Sequence, residues 1–251
     1  MRKAFLASVI LAFAWAGDVS AQYLPLDGRL SVDFSGLVQA GSQTIDQGGT
    51  FIVYGEPGLL EATQNVESGG LWDLAFGYRA WRELAFGLGV SQFSGSQVVA
   101  VSGQVPHPLF FESLRAFATS APTEHRTRAI YLQAMWRLPM PPSMERLNVR
   151  VMGGPAHLRV RQGLAAGGEF TEVGPPFTAV NVTVTAVTLS KSAAGFIGGV
   201  DIAYPLTSNI GVGMLLRGVG GSVELQDPFG TGTITIDLGG FQAGGGVRLA
   251  F

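Results

Sequence analysis

Apolar and polar residues alternate with a period of two along eight segments of the chain. Between Leu84 and Ser91, for example, large apolar side chains at even positions alternate with Ala, Gly and Ser at odd positions. Strict alternation over such lengths is typical of β-strands with two different faces. It predicts strands at about 30–39, 71–81, 84–94, 127–138, 146–158, 193–204, 209–220 and 233–251. The chain is therefore predicted to be all-β.

The connections between these segments are alternately short and long. Short ones cover 81–83, 139–145 and 205–208, whereas long ones cover about 40–68, 95–125, 160–192 and 222–233. A soluble β-sandwich also alternates along its strands, but it rarely contains three loops of about 30 residues. Tight turns at one end and extended loops at the other are typical of a membrane barrel. Residues 22–251 are thus predicted to form an eight-stranded antiparallel up-and-down transmembrane β-barrel.

The first 21 residues have the pattern of a cleavable signal peptide. Arg2 and Lys3 precede an apolar stretch at 4–17, and small side chains follow up to Ala21. The stretch is too short for a membrane-spanning helix, and its flanks fit an export signal. A buried N-terminal helix is the alternative interpretation. We expect residues 1–21 to direct export.

Composition excludes several classes of protein. The chain has 36 Gly, 14% charged residues and a net charge of -2. A disordered, charge-rich chain and a nucleic-acid-binding protein with a basic face are both disfavoured. With no Cys, there are no disulfides, thiolate metal sites or thiol nucleophiles. We expect no metal site and no cofactor.

The second face of the predicted strands carries charge, and in a membrane barrel this face must point inward. An eight-stranded barrel is only wide enough to be filled by its own side chains, and partnered ions are tolerable in such a lumen. We expect a plugged lumen with a charge network of three acids and five arginines: Asp33, Asp73, Arg79, Arg137, Arg150, Asp201, Arg217 and Arg248.

A second basic group is predicted where the fourth and fifth strands approach the outer rim. It comprises Arg126, Arg128, Arg159 and Arg161, with His125 and His157 nearby. Arginine forks suit phosphate, so we hypothesise that this rim binds lipopolysaccharide headgroups. The alternative is a solvated rim neutralised by acids nearby in sequence, namely Glu112, Glu124, Glu169 and Glu172. His107, between two prolines in a long loop, is interpreted as a structural residue rather than a base.

The C-terminal residues carry a family resemblance. The chain ends with a glycine, a spaced hydrophobic residue and a final aromatic residue, namely Gly246, Leu249 and Phe251. This resembles the assembly signal of bacterial outer-membrane proteins, which the barrel-assembly machinery reads. The organisation of the chain is similar to small eight-stranded barrels of the OmpA, OmpX and OmpW type. The resemblance implies the fold and a location in the bacterial outer membrane, but no activity.

The expected function is structural, adhesive or surface-binding, with outer-membrane lipids and lipopolysaccharide as partners and a monomeric state. The alternative is a conduit or an enzyme for small apolar molecules or lipid A at the barrel mouth. The β-prone runs at 51–54, 98–101 and 180–187 either form a hydrophobic vestibule or rigidify the long loops. No recognisable nucleophile motif is present, so catalysis is not expected.

Overall fold

The computed structural model describes residues 26, 28–144, 146–230 and 232–251. The predicted signal peptide at 1–21 lies outside this range. Within it, the chain forms twelve β-strands and one short 3-10 turn at Pro142–Met144. None of its helices is long and apolar enough to cross a membrane. The strands are β1 (Leu30–Ala40), β2 (Gln43–Val53), β3 (Glu56–Val66), β4 (Gly69–Arg79), β5 (Leu84–Pro106), β6 (Leu114–Arg137), β7 (Asn148–Glu172), β8 (Val180–Pro205), β9 (Ile210–Gly220), β10 (Ser222–Gln226), β11 (Thr233–Asp237) and β12 (Gly240–Ala250).

Eight of these strands close into a ring. The order is β5-β4-β1-β12-β9-β8-β7-β6, and β6 pairs back onto β5. Every pairing in the ring is antiparallel. In the lower part of the barrel, closure leaves none of these eight strands at an edge of the sheet, which is what a sheet needs in hydrocarbon. The predicted eight-stranded antiparallel barrel is confirmed.

Four ring strands extend far beyond their predicted bounds, because much of the predicted long loops is strand. β5 ends at Pro106 rather than near 94, and β6 begins at Leu114 rather than near 127. β7 and β8 continue their mutual pairing up to Glu172 and Val180. The last predicted strand, at 233–251, is in fact two strands, β11 and β12, separated by a turn.

The extended strands form a tower above the ring. The tower consists of the hairpins β2–β3 and β10–β11 together with residues 92–106, 114–128, 157–172 and 180–194 of β5 to β8. β3 pairs with the upper part of β5, so the first hairpin widens the tower wall. From Leu114 to Arg126, β6 alone supplies about 40 Å of strand at 3.3 Å per residue.

The lower ring carries apolar side chains on its outer face, which form an apolar belt. On β1 the belt runs from Leu30 to Val38, about 26 Å along the strand and about 20 Å along the axis at a tilt of about 40°. This approaches the height of about 25 Å of a membrane barrel's apolar band. Its exposed side chains include Leu30, Phe34, Val38, Phe76, Tyr78, Phe86, Leu88, Ile130, Leu132, Trp136, Val151, Phe196, Met214, Phe241 and Val247.

The polarity of the two faces reverses in the tower. Below, β7 points Val151 outward and Arg150 into the lumen; above, it points Arg159 outward and buries Leu158 and Val160. Two buried apolar clusters fill the tower, one around Leu158 and Ile236 and one around Val99. The β-prone runs of the long loops therefore pack as an apolar interior.

Candidate functional site

Four arginines meet on the outer wall of the barrel. The β6–β7 register places Arg126 opposite Arg161 and Arg128 opposite Arg159. All four are exposed, and together they line a recess of about 120 Å³. We call them the arginine quartet. The sequence expected these residues at the rim of the barrel; the structure places them below the rim, because the tower continues above them.

The quartet lies directly above the apolar belt. Ile130 lies two residues below Arg128 on the outer face of β6. It is 48% exposed and belongs to the belt. On β7 the corresponding neighbour below Arg159 is His157, also exposed. The guanidinium groups therefore lie at the level where a membrane changes from hydrocarbon to charged headgroups.

The fold itself gives no electrostatic reason for this cluster. Like charges directly opposite each other on neighbouring strands are destabilising. Among the described residues, no carboxylate forms an ion pair with the quartet; its one side-chain bond is from Arg128 Nη2 to Gln92 Oε1, at 3.0 Å. On the inner face of β6, burial lowers the pKa of His125, so that ring adds no charge at neutral pH. Within the described residues, the quartet presents four positive charges that have no ion-pair partner.

Most of the acids that could have neutralised the quartet lie elsewhere. Glu172 binds Arg115 at the top of the tower, and Glu112 lies in the β5–β6 loop beside Glu56. Glu169 is opposite Thr183, high on β7. Glu124, on the outer face of β6 two positions from Arg126, is the nearest of the four.

The predicted lumen residues form two ion-pair clusters. In the first, Arg150 Nη2 lies 2.9 Å from Asp33 Oδ2 and 2.6 Å from Asp201 Oδ2. Arg248 Nη2 reaches the other oxygen of Asp201 at 2.6 Å, and its Nη1 donates to Ser35 Oγ. Two arginines and two aspartates thus neutralise each other across the barrel.

The second cluster centres on Arg217, which is 2% exposed. Its Nη1 lies 2.7 Å from Asp73 Oδ2, and its Nε donates to Gln242 Oε1 at 2.7 Å. Tyr131 donates its hydroxyl to Asp73 at 2.7 Å. Between the two clusters the free space is about 10 Å³, about the volume that one water needs. Side chains fill the lumen here.

The two remaining predicted lumen arginines belong to neither cluster. Arg79 and Arg137 line a cavity of about 70 Å³ at the lower mouth, beside the short turns. Arg79 Nη2 donates to the Gly28 carbonyl at 2.8 Å.

The residues of the predicted assembly signal lie at the closing seam of the ring. Gly246 pairs with Ser35 of β1, and Leu249 pairs with Val32. Phe251 follows β12; it is exposed, and its backbone N–H donates to the Leu30 carbonyl at 2.9 Å.

Sequence reasoning missed a polar cluster at the top of the tower. Arg115 is buried, and its Nη2 donates to Glu172 Oε1 at 2.7 Å. Tyr54 donates its hydroxyl to the same carboxylate at 2.8 Å. These bonds lower the pKa of Glu172 and raise that of Tyr54. The three residues come from three different hairpins, so no spacing along the chain signals their contact.

His107 has a structural role in the same region. Its Nδ1 accepts the backbone N–H groups of Leu109 and Phe110 at 3.1 and 3.2 Å. With Nδ1 as acceptor, Nε2 carries the proton and donates to the Pro176 carbonyl at 3.3 Å. The ring therefore connects two loops. In the part of the chain that the structure describes, no group of three or more His or acidic residues could hold a metal ion.

No family model and no curated protein matches the sequence. The fold, however, resembles solved outer-membrane barrels. The chain is similar to the outer membrane protein OprG from Pseudomonas aeruginosa (11% identity, TM-score 0.50, covering 89% of this chain and 96% of that one). Other similar structures are Neisserial surface protein A (11%, TM-score 0.40, covering 88% and 97%) and AlkL in lipid bilayers (13%, TM-score 0.42, covering 94% and 94%). The chain has the fold of the small eight-stranded outer-membrane β-barrels.

Proposed function

We propose that this protein is a surface-binding barrel of the bacterial outer membrane that holds phosphate groups of lipopolysaccharide on its arginine quartet, with a lumen closed to solutes. The observation that carries this proposal is the quartet itself. Four uncompensated guanidinium groups face outward at the upper edge of the apolar belt. Lipopolysaccharide places its phosphates at this level of the outer leaflet.

The chemistry of the quartet supports a phosphate ligand. Guanidinium groups bind phosphate oxygens through two parallel N–H bonds, and they are more weakly hydrated than ammonium groups. Arg126 and Arg161 face each other across the β6–β7 pairing, as do Arg128 and Arg159. A bound dianion would convert two repulsive cross-strand pairs into attractive bridges, so the ligand would also stabilise the wall.

The lumen supports a binding role rather than transport. A solute moving along the axis would have to separate Arg217 from Asp73 and Arg248 from Asp201, all four of which are almost fully buried. Leaving one partner of such a pair alone costs about 3–5 kcal/mol. We therefore expect no steady conductance in planar bilayers.

The test is to replace all four arginines of the quartet by glutamine and to quantify lipopolysaccharide retained per purified barrel. Charge-assisted hydrogen bonds contribute about 1.5–3 kcal/mol each, so losing several should reduce retention by roughly tenfold or more. A matched variant with four lysines keeps the charge without the forks and should retain an intermediate amount.

Glu124→Gln is the control for general charge effects. Because it removes the acid nearest to the quartet, it should leave retention unchanged or raise it. Equal retention by the wild type and the fourfold glutamine variant would refute the assignment of the ligand to the quartet.

A further inference from the structure

The lower mouth of the barrel contains a cavity that the quartet does not line and that the first ion-pair cluster borders through Asp33, Arg150 and Arg248. It has a volume of about 70 Å³. At about 10–15 Å³ of such space per water, it has room for a compact multi-atom ligand. Its lining combines ring residues with the turn between β4 and β5: Arg29, Asp33, Arg82, Glu83, Arg137, Asn148 and Arg150, among others.

The lining has an excess of positive charge. Arg150 is neutralised by Asp33 and Asp201. Arg137 lies directly opposite Arg150 in the β6–β7 register, and its side chain makes no hydrogen bond or ion pair within the described residues. Like charges placed opposite each other in a narrow lumen repel, which an anion between them would reverse.

Arg29 and Arg82 add to this excess at the entrance. Both are exposed, and neither has an ion-pair partner in the described part of the chain. Glu83 is the acid that remains in the lining. The unpaired guanidinium groups of Arg29, Arg82 and Arg137 outnumber this one remaining carboxylate, and Arg79 adds a fourth arginine to the lining, so the cavity favours an anion.

Two buried oxygens at this end of the barrel also lack hydrogen-bond donors, although one of them lies 3.9 Å from Arg248 Nε. Asn148 Oδ1 and Asp33 Oδ1 belong to residues of the cavity lining, and neither accepts a hydrogen bond. Leaving a buried acceptor unsatisfied costs about 1–3 kcal/mol, so a ligand that donates is favoured. The site thus calls for a group that has charged oxygens for guanidinium and also an O–H to donate.

We propose that the lower mouth is a second binding site, specific for a phosphate group, in which Arg137 is the central ligand and Arg29 and Arg82 guard the entrance. Hydrogenphosphate has both the oxygens and the hydroxyl that the cavity requires. The same chemistry is offered by free phosphate in the periplasm and by a phosphomonoester headgroup of the inner leaflet.

The test uses the full barrel in phosphate-free zwitterionic detergent, titrated with inorganic phosphate in a calorimeter. With the quartet replaced by glutamine, we expect one saturable site, which Arg137→Gln weakens at least tenfold and Glu83→Gln tightens. The fourfold quartet variant should keep this site, so failure of either proposal is distinguishable from failure of the other. Arg137→Lys and the double variant Arg29→Gln/Arg82→Gln provide the same test if Arg137→Gln does not fold.

A second arm distinguishes the two sources. The wild type and Arg137→Gln are reconstituted in phosphatidylcholine nanodiscs with and without phosphatidic acid, and bound lipid is quantified after delipidation. Retention of phosphatidic acid that depends on Arg137, without binding of free phosphate, would assign the site to a lipid headgroup. If neither ligand binds saturably, or if binding is indifferent to Arg137, the proposal is wrong.

Discussion

Single residues in the lumen are held by partners from distant parts of the chain. Arg217 lies over the ring of Tyr131, with its guanidinium carbon 5.3 Å from the ring centroid, and pairs with Asp73, which is 144 positions away in sequence. Because the interior of the ring is narrow and filled, each of these side chains has a fixed neighbour. The stability of the barrel therefore depends on whether each buried charge has its counter-ion, and not on how many charges the lumen contains.

Asp73→Ala should therefore destabilise the barrel more than removal of both partners. The single variant leaves Arg217 buried without a counter-ion, which costs about 3–5 kcal/mol. The double variant Asp73→Ala/Arg217→Met removes both charges and should recover much of that loss. Equilibrium urea unfolding in lipid vesicles, followed by tryptophan fluorescence, measures both. A double variant less stable than the single one would contradict this account.

The sequence could predict which charged residues face the lumen but not how they pair. Alternation alone assigns Asp33, Arg150 and Asp201 to the inward face. Their pairing depends on the stagger of strands around the ring, which brings Asp33 of β1 within reach of Arg150 of β7 across the lumen. Stagger is a property of the closed sheet, and no local pattern reports it.

At the scale of strands, the tower was missed because the apolar residues change face. On β5 they occupy even positions up to Val90 and odd positions from Phe93 upward, as in Val99 and Val101. A strand predicted from one constant apolar face therefore ends near residue 94, although β5 continues to Pro106. The reversal marks where lipid gives way to water outside the wall, and it predicts continued strand rather than loop.

At the top of the tower, Glu172 connects three hairpins through its hydrogen bonds with Tyr54 and Arg115. Because Glu172 titrates, this connection depends on pH. Arg115 lowers the pKa of Glu172 below its usual 4.5. A carboxyl whose pKa is lower in the folded than in the unfolded protein stabilises the fold fully at pH values above its unfolded-state pKa. This stabilisation is lost as the pH falls through the folded-state pKa. We expect the wild-type tower to weaken below about pH 4.5 on this linkage argument.

Glu172→Gln should remove this dependence. The variant should be less stable than the wild type at pH 7, and the difference between them should shrink as the pH falls from 5 to 3. Thermal unfolding at a series of pH values measures this difference. A difference that stays constant across the series would show that the ion pair contributes nothing.

At the scale of the whole molecule, closure of the ring depends on the β1–β12 seam. A Cβ atom added at Gly246 would overlap the carbonyl oxygen of Phe34, and one at Gly244 would overlap that of Gly36. Side chains at these two inward positions would therefore push the strands apart. Gly245 is less crowded: its Cβ would lie 3.3 Å from the nearest heavy atom, the Gly213 carbonyl oxygen, a tight contact that a shift of a few tenths of an ångström would relieve.

Gly244→Ala and Gly246→Ala should both reduce the fraction of barrel that assembles, and Gly245→Ala should reduce it much less. Heat-modifiable migration on gels measures the folded fraction in each case. If Gly244→Ala assembled normally and Gly246→Ala did not, the Gly at 246 would act through the predicted assembly signal and not through the fit of the seam.

The reversal of polarity along β5 to β8 also restricts the register in which these strands can pair. A shift by one residue turns every side chain of a strand to the other face. On β7 such a shift would turn Arg150 toward lipid below while exposing Leu158 and Val160 to water above. Both solvents would thus disfavour a one-residue shift at the same time.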